Sequence, residues 1–227
     1  MITADFGRQD WHKIDTVFLD MDGTLLDLHF DSFFWLQHLP RRYSQLHGLP
    51  EDTAKADLHQ QLFAKRGTLD WYCTDYWSRQ LDVNIVDLKR EIQHLIGERP
   101  QTLAFLRGLG KINKQRILVT NAHPDSIAIK FAVTDIEPLL DNVISSHDYG
   151  YPKEEQQFWQ QLQHNTDFDP DRTLFIDDSE PVLNAARHYG IRYLLTIETP
   201  DSQQPSSPSD KYSAIRRFEQ ILAINNG

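Results

Sequence analysis

The chain contains a single cysteine, Cys73, in 227 residues. No internal disulfide can form, and such sparing use of cysteine fits a reducing compartment. Positive charge is also scarce. Lys and Arg total 23 against 33 Asp and Glu, a formal net charge of −10. A field of that sign repels polynucleotides and acidic membranes, so neither is expected as a partner, and an anionic small substrate would need a local positive site. No apolar stretch approaches membrane-spanning length, and the opening residues Met1–Gly7 lack a charged head followed by an apolar segment. A cytoplasmic protein is the expectation. The 10 histidines show no HExxH or comparable zinc spacing. No internal repeat is present.

What the sequence does have is a series of short apolar runs that alternate with helical patterns. Thr16–Leu19, Arg116–Val119, Asn142–Ser145, Thr173–Ile176 and Arg192–Ile197 read as strands. Each is apolar without strict alternation, as parallel strands covered on both faces are. Between them lie helix patterns at Thr102–Leu109, Asp125–Val133, Glu154–Gln163 and Glu180–Tyr189, the last followed by a stop at Gly190. The class predicted is α/β, a doubly wound parallel sheet. Residues 28–97 break the rhythm, with helix patterns at Phe33–His47, Thr53–Lys65, Leu69–Leu81 and Val86–Ile96 and no convincing strand. They are expected to form a small helical domain inserted after the first strand, leaving 1–27 and 98–227 as the core. The stretch from Pro200 to Asp210 has a mobile loop's composition. Tyr212–Ala223 is expected to be an amphipathic helix packed through Tyr212, Ile215, Phe218 and Leu222.

Three apolar runs end alike: Val17-Phe18-Leu19 at Asp20, Ile117-Leu118-Val119 at Thr120-Asn121, and Leu174-Phe175-Ile176 at Asp177-Asp178. Ligands of open parallel sheets bind outside the carboxyl ends of the strands, so these polar tips should converge on one crevice. Lys153, after a Gly-Tyr-Pro turn, can reach the same edge. Clustered carboxylates repel one another and call for a divalent cation with oxygen ligands, for which Mg²⁺ is suited. A lysine and a hydroxyl beside it make a phosphate cradle, and a carboxylate there can attack phosphorus.

Asp20-Met-Asp22-Gly23-Thr24, Thr120-Asn121, Lys153 and Asp177-Asp178 resemble, in order and setting, the four motifs of the haloacid dehalogenase (HAD) superfamily of phosphatases. The helical insert is similar to a family cap of the C1 class. Within the superfamily the chain most resembles the purine 5′-nucleotidases that act on GMP and IMP, over Leu19–Trp35, Leu69–Leu81, Arg116–Lys130, Tyr149–Trp159 and Arg172–Ile197. The resemblance implies a Mg²⁺-dependent phosphomonoesterase with a small phosphomonoester substrate. Asp20 would be nucleophile and metal ligand. Asp22 would be the general acid and base, its backbone carbonyl on the metal. Thr120, Asn121 and Lys153 would hold the phosphate, and Asp177 would ligate Mg²⁺ with Asp178 in support. Gly23 would permit the tight turn into the insert, beside Thr24.

Other readings stand beside these. A sugar phosphate could replace the nucleotide. A dehalogenase has no use for Asp22, since a leaving halide needs no proton. A phosphonatase needs a Schiff-base lysine from the insert, and Lys55, Lys65 and Lys89 have no distinguishing context. A receiver-like module shares the carboxylates, Mg²⁺, Thr and Lys, but its phosphorylated aspartate ends a middle strand and it lacks an insert of this length. Asp178 could equally serve the start of the helix beginning at Ser179-Glu180. The aromatics of Trp71–Trp77 and Phe33–Trp35 suit either a purine contact or the packed side of a helical layer. Cys73 is expected to be a buried small hydrophobe, and His123 either a substrate contact or a helix start.

Overall fold

The computed structural model describes residues 8–206 and 209–222. Six strands form one parallel sheet: β1 (Thr16–Leu19), β2 (Gln115–Thr120), β3 (Asn142–Ser145), β4 (Thr173–Ile176), β5 (Tyr193–Ile197) and β6 (Ala214–Ile215), in the order β3-β2-β1-β4-β5-β6. The winding reverses between β1 and β4, which makes that boundary the switch point. Leu19 lies level with Leu118 on one side and Ile176 on the other. Asp20 and Asp177 therefore emerge at the same height, while β2 runs on past Leu118 to Thr120.

Alternate side chains of each strand enter different cores, which is why the runs carry no polar alternation. Val17, Leu19, Leu118, Leu174, Ile176 and Leu195 join one apolar cluster, with Phe105, Leu106 and Leu109. Those three come from α7 (Thr102–Lys111). Phe18, Ile117, Val119, Phe175 and Leu194 join the other, with Phe158 and Trp159 of α9 (Gln156–Asn165) and Val182 and Leu183 of α10 (Glu180–Tyr189). Between α7 and α9 in the chain, α8 (Pro124–Phe131) starts immediately after the β2 tip.

Residues 29–95 hold α1 (His29–Phe33), α2 (Leu39–His47), α3 (Glu51–Phe63), α4 (Leu69–Tyr72), α5 (Thr74–Leu81) and α6 (Ile85–Glu91), then a short 3₁₀ turn at Gln93–Leu95. They share a third apolar cluster that includes Phe30, Phe34, Leu58, Trp77 and Leu88. A π turn, Phe34–His38, joins α1 to α2, where Leu39 N–H donates to the Phe34 carbonyl five residues back. Pro40 explains it: proline has no N–H, and its ring would strike the Leu36 carbonyl in a regular helix. The single helix expected over Leu69–Leu81 is broken at Cys73, whose backbone is extended (φ −86°, ψ 110°). The chain segments entering and leaving this layer run side by side, with Asp27 N–H donating to Gly97 O at 2.9 Å and Arg99 N–H to Leu25 O at 2.9 Å.

One expectation fails near the C-terminus. The segment from Tyr212 is not a helix: Ala214–Ile215 pairs with β5, and a 3₁₀ turn follows at Phe218–Gln220, while Ala223 lies outside the described residues. Tyr212, Ile215, Phe218 and Leu222 are buried all the same. The backbone of β5 decides the outcome, because Thr196 N–H needs Ser213 O (3.0 Å) and Glu198 N–H needs Ile215 O (3.0 Å). Apolar residues three or four apart suit an extended edge with a following turn as well as a helix. The loop from Pro200 is tethered at its start, since Leu28 N–H donates to Pro200 O at 3.0 Å and Ser202 N–H to Asp27 Oδ1 at 3.1 Å.

Trp159 is fully buried, and its indole N–H donates to the Lys153 carbonyl at 2.8 Å. Trp159→Ala is expected to cost about 3–5 kcal/mol, read as a lowered midpoint in urea denaturation. An unchanged midpoint would contradict the packing described.

Candidate active site

The tips of β1, β2 and β4 open into one cavity of about 750 Å³, whose floor includes Asp20, Thr120, Asn121, Lys153, Asp177 and Asp178. Asp20 is placed by its N–H, which donates to Ile176 O at 3.0 Å and so continues the β1–β4 ladder for one more residue. Asp177 is set by the corresponding bond to Leu195 O at 3.2 Å.

Lys153 crosses the floor. Its Nζ donates to Asp20 Oδ1 at 2.6 Å, Asp177 Oδ2 at 2.7 Å and Val119 O at 3.0 Å, which uses all three of its donors. Its own N–H donates to Asn121 Oδ1 at 2.9 Å. The lysine is 2% exposed. Its two carboxylate partners outweigh burial and raise its pKa, so it is cationic. Burial pushes the Asp20 carboxyl up to about 6, with Asp177 adding to the rise and Lys153 opposing it. Asp177 is raised by burial too, and Asp178 well above the ordinary range by burial and the charges of Asp177 and Asp20.

Asp20, Asp177 and Asp178 each offer an oxygen within 4.8 Å of the others. With all three ionised, as ligands of a cation are, the single charge of Lys153 leaves two negative charges uncompensated. An all-oxygen set with that deficit fits a hard divalent cation.

Asp22 stands apart from this trio. Its Oδ1 accepts from Lys130 Nζ at 2.5 Å; Lys130 also donates to Asp31 Oδ2 at 2.7 Å, and Lys89 Nζ to Asp31 Oδ1 at 2.7 Å. The row Asp22–Lys130–Asp31–Lys89 thus runs from the β1 loop through α8 to α1 and α6. Burial pushes Asp22 up to about 6, with Asp31 and Asp20 adding to the rise against Lys130. Burial acts upward on Asp31 also, but its two lysines overcome it and hold that carboxyl well below the usual range. Lys89, buried and given only one carboxylate partner, has its pKa lowered.

A second link joins the layers: Tyr72 Oη donates to Glu154 Oε1 at 2.7 Å, and Asn121 Nδ2 donates to Glu154 Oε2 at 2.9 Å. Burial and the adjacent carboxylate raise the tyrosine pKa, which keeps it a donor.

Gly23 has φ +83°, and a Cβ there would stand 2.6 Å from Asp178 Oδ2. Thr24 is buried outside the cavity lining, and its hydroxyl has no hydrogen-bond partner among the described residues. At the start of α10 it is Asp177, not Asp178, whose Oδ1 accepts the Ser179 N–H, at 2.8 Å. His123 begins α8, its Nδ1 accepting from Asp125 N–H at 3.3 Å. Cys73 is half-buried rather than buried, and its Sγ accepts from Tyr76 N–H at 3.3 Å.

Sequence reasoning missed Lys130, Asp31, Lys89 and Glu154. Lys130 had left a signal, as a lone charge within the apolar stretch from Ile127 to Val133.

The family model for haloacid dehalogenase-like hydrolases matches residues 14–190. The chain is 41% identical over 212 residues to the GMP/IMP nucleotidase YrfG of Escherichia coli, covering 93% of this chain and 96% of the relative, and equally to that of Shigella flexneri. Among solved structures, the HAD phosphatase from Thermococcus onnurineus superposes with a TM-score of 0.75 at 19% identity, covering 90% of this chain and 94% of that one. The L-2-haloacid dehalogenase from Xanthobacter autotrophicus gives 0.57 at 16% identity, covering 82% and 78%. With strand tips, lysine and acids so arranged, and a family model spanning most of its length, the chain belongs to the haloacid dehalogenase-like hydrolases.

Proposed function

We propose that this hydrolase is a Mg²⁺-dependent phosphomonoesterase, acting in the cytoplasm on purine 5′-nucleotides through an aspartyl-phosphate on Asp20. The observation that carries the reading is Lys153 spanning Asp20 and Asp177 beside Thr120 and Asn121, at the tips of neighbouring strands. Asp20, Asp177 and the Asp22 carbonyl would hold the cation, with Asp178 in support. The chemistry bound Mg²⁺ supplies is neutralisation of charge between an attacking carboxylate and an anionic phosphate.

An Asp20 oxygen attacks phosphorus and the bond to the ribose 5′ oxygen breaks, while Asp22 gives that oxygen its proton. Asp22 then takes a proton from the water that attacks the aspartyl-phosphate, which releases inorganic phosphate and restores Asp20. Thr120 and Asn121 hold the phosphoryl oxygens. Because every donor of Lys153 is engaged, one of its contacts must be exchanged for a phosphate oxygen. Lys130 positions Asp22, and through Asp31 that position depends on α1. The layer of residues 28–97 serves as the cap in this reading.

Substrate choice is assigned to the part of the cavity lined by the helical layer, which includes Trp35, Phe63 and Trp71 and the cations Lys55 and Arg66. An apolar wall accepts a base better than a sugar. Cationic donors favour the O6 and N7 acceptors of a 6-oxopurine over the N6 amine of adenine. The relatives named as GMP/IMP nucleotidases agree with that choice.

In a phosphate-release assay, GMP and IMP should be hydrolysed at least about tenfold better, by kcat/KM, than AMP, pyrimidine monophosphates or sugar phosphates, a margin of about 1–3 kcal/mol for one paired contact. Activity should vanish in EDTA and return with Mg²⁺. A flat profile would overturn the purine assignment. Asp20→Asn should fold normally and lose about a thousandfold or more in turnover, because an amide is a poor nucleophile; retained turnover would remove Asp20 from the mechanism. Lys130→Met should lower stability by about 1–3 kcal/mol, since the half-buried Asp22 loses its cation and Asp31 keeps only Lys89. A denaturation midpoint equal to that of the wild type would contradict the network.

A further inference from the structure

Around the start of α8 lies a group of side chains that the proposed reaction does not use. Cys73, His123 and His147 each offer a ligand atom within 4.8 Å of the other two. They come from three elements: the α4–α5 junction, the loop between β2 and α8, and the 3₁₀ turn Ser146–Asp148 after β3. Asp75 and Asp125 form an overlapping set with His123 within the same distance.

His147 Nε2 is buried and has no hydrogen-bond partner among the described residues. The Asn121 backbone beside the ring acts to favour its protonated form. One buried ring nitrogen of His147 is thus left without a partner, beside the other two side chains of the cluster. Metal binding by imidazole needs such a nitrogen, unprotonated and free of other partners. Burial, with the neighbouring His123, pushes the His147 pKa down to about 4, so its imidazole is neutral near pH 7. The His123 and His147 rings meet edge to face, with centroids 4.9 Å apart. His123 Nδ1 lies 2.8 Å from Thr74 Oγ1, and its Nε2 lies 3.8 Å from Asp75 Oδ2. Ligation costs His123 one of these contacts, whereas His147 Nε2 has none to lose.

We propose that Cys73, His123 and His147, with Asp75 as fourth ligand, form a second cation site for a borderline transition metal such as Zn²⁺, tying the helical layer to the β2 and β3 loops. One thiolate and one carboxylate balance a divalent charge, and the two imidazoles are neutral. Bond lengths of about 2.0–2.3 Å in a tetrahedron bring ligand atoms roughly 3.3–3.8 Å apart. The ligand atoms of Cys73, His123 and His147, within 4.8 Å of one another, close to that by side-chain adjustment of roughly 1 Å, and Asp75 is brought in from beside His123. On ligation the thiol proton passes to water. This sulfur and nitrogen set is chemically distinct from the all-oxygen floor of the cavity, so the two sites select different metals. Because the ligands are scattered over Cys73, His123 and His147, no local sequence motif announces them.

The test is a Co²⁺ titration of the full chain, saturated with Mg²⁺ and followed by absorption. Cys73 is the chain's one cysteine, so a thiolate-to-cobalt band in the near ultraviolet reports on this site and no other. The expected result is such a band saturating at one Co²⁺ per chain and removed by Zn²⁺. Cys73→Ser should abolish the band. His147→Gln should weaken Co²⁺ binding at least about tenfold. Both variants should keep Mg²⁺-dependent phosphate release, and Zn²⁺ should raise the melting temperature of the wild type but not of Cys73→Ser. Should His147→Gln fail to fold, the wild type and Cys73→Ser carry the decision between them. Absence of the band in the wild type, or Co²⁺ affinity unchanged in a folded His147→Gln variant, would overturn the proposal.

Discussion

Everything at the sheet's carboxyl end depends on one cation held between two buried carboxylates. Lys153 reaches Asp20 and Asp177 at once because Leu19 and Ile176 are level in the sheet, so their successors emerge side by side. The arrangement is costly without its counter-charges. Burial raises both carboxyls, and a single lysine offsets only part of that rise. Strand register, which the apolar cores on the two faces fix, is therefore what makes the charge cluster tolerable. A slip of one residue would turn Phe18 into the core of Val17 and Leu19 and carry Asp20 away from Lys153.

Asp22 meets the same difficulty by another route. It does not share Lys153 but has its own lysine, Lys130, which is shared with Asp31 of α1. Two carboxylates two residues apart are thus held in different electrostatic settings, and the proposed division of labour between attack and proton transfer matches that separation. The row ends at Lys89 on α6, so elements of the helical layer contribute to the environment of a residue on the β1 loop. Tyr72 and Glu154 make the corresponding connection to Asn121. The floor of the cavity is consequently not a property of the sheet alone.

This division explains what was legible in the sequence. Asp20, Thr120, Asn121, Asp177 and Asp178 could be picked out because each sits at the end of an apolar strand, where a polar residue is anomalous, and Lys153 because it follows a strand and a turn in the order of the motifs. Asp31 and Lys89 could not, since a charged residue in an amphipathic helix is ordinary until the helix is placed against its neighbours. The cluster of Cys73, His123 and His147 was hidden for a related reason: its members share no element and no spacing. Leu69–Leu81 shows the limit of periodicity, because its pattern continues through Cys73 while the backbone does not. The segment after Tyr212 shows another, since the unpaired edge of β5 outweighed a pattern that a helix would also have satisfied.

Gly23 illustrates how closely the two parts of the molecule share space. Its positive φ turns the chain away from β1 toward the helical layer, and its missing side chain leaves room for Asp178 and Pro200, both of which a Cβ would meet within 3.0 Å. Pro200 in turn accepts the Leu28 N–H, and Asp27 accepts that of Ser202. The passage from sheet to helices is therefore packed against an acid of the floor and held from behind by the loop after β5. Any side chain at position 23 would have to displace Asp178 or unseat Pro200. The turn and the acid cluster consequently constrain each other, and the glycine belongs to the site although it contributes no functional group to it.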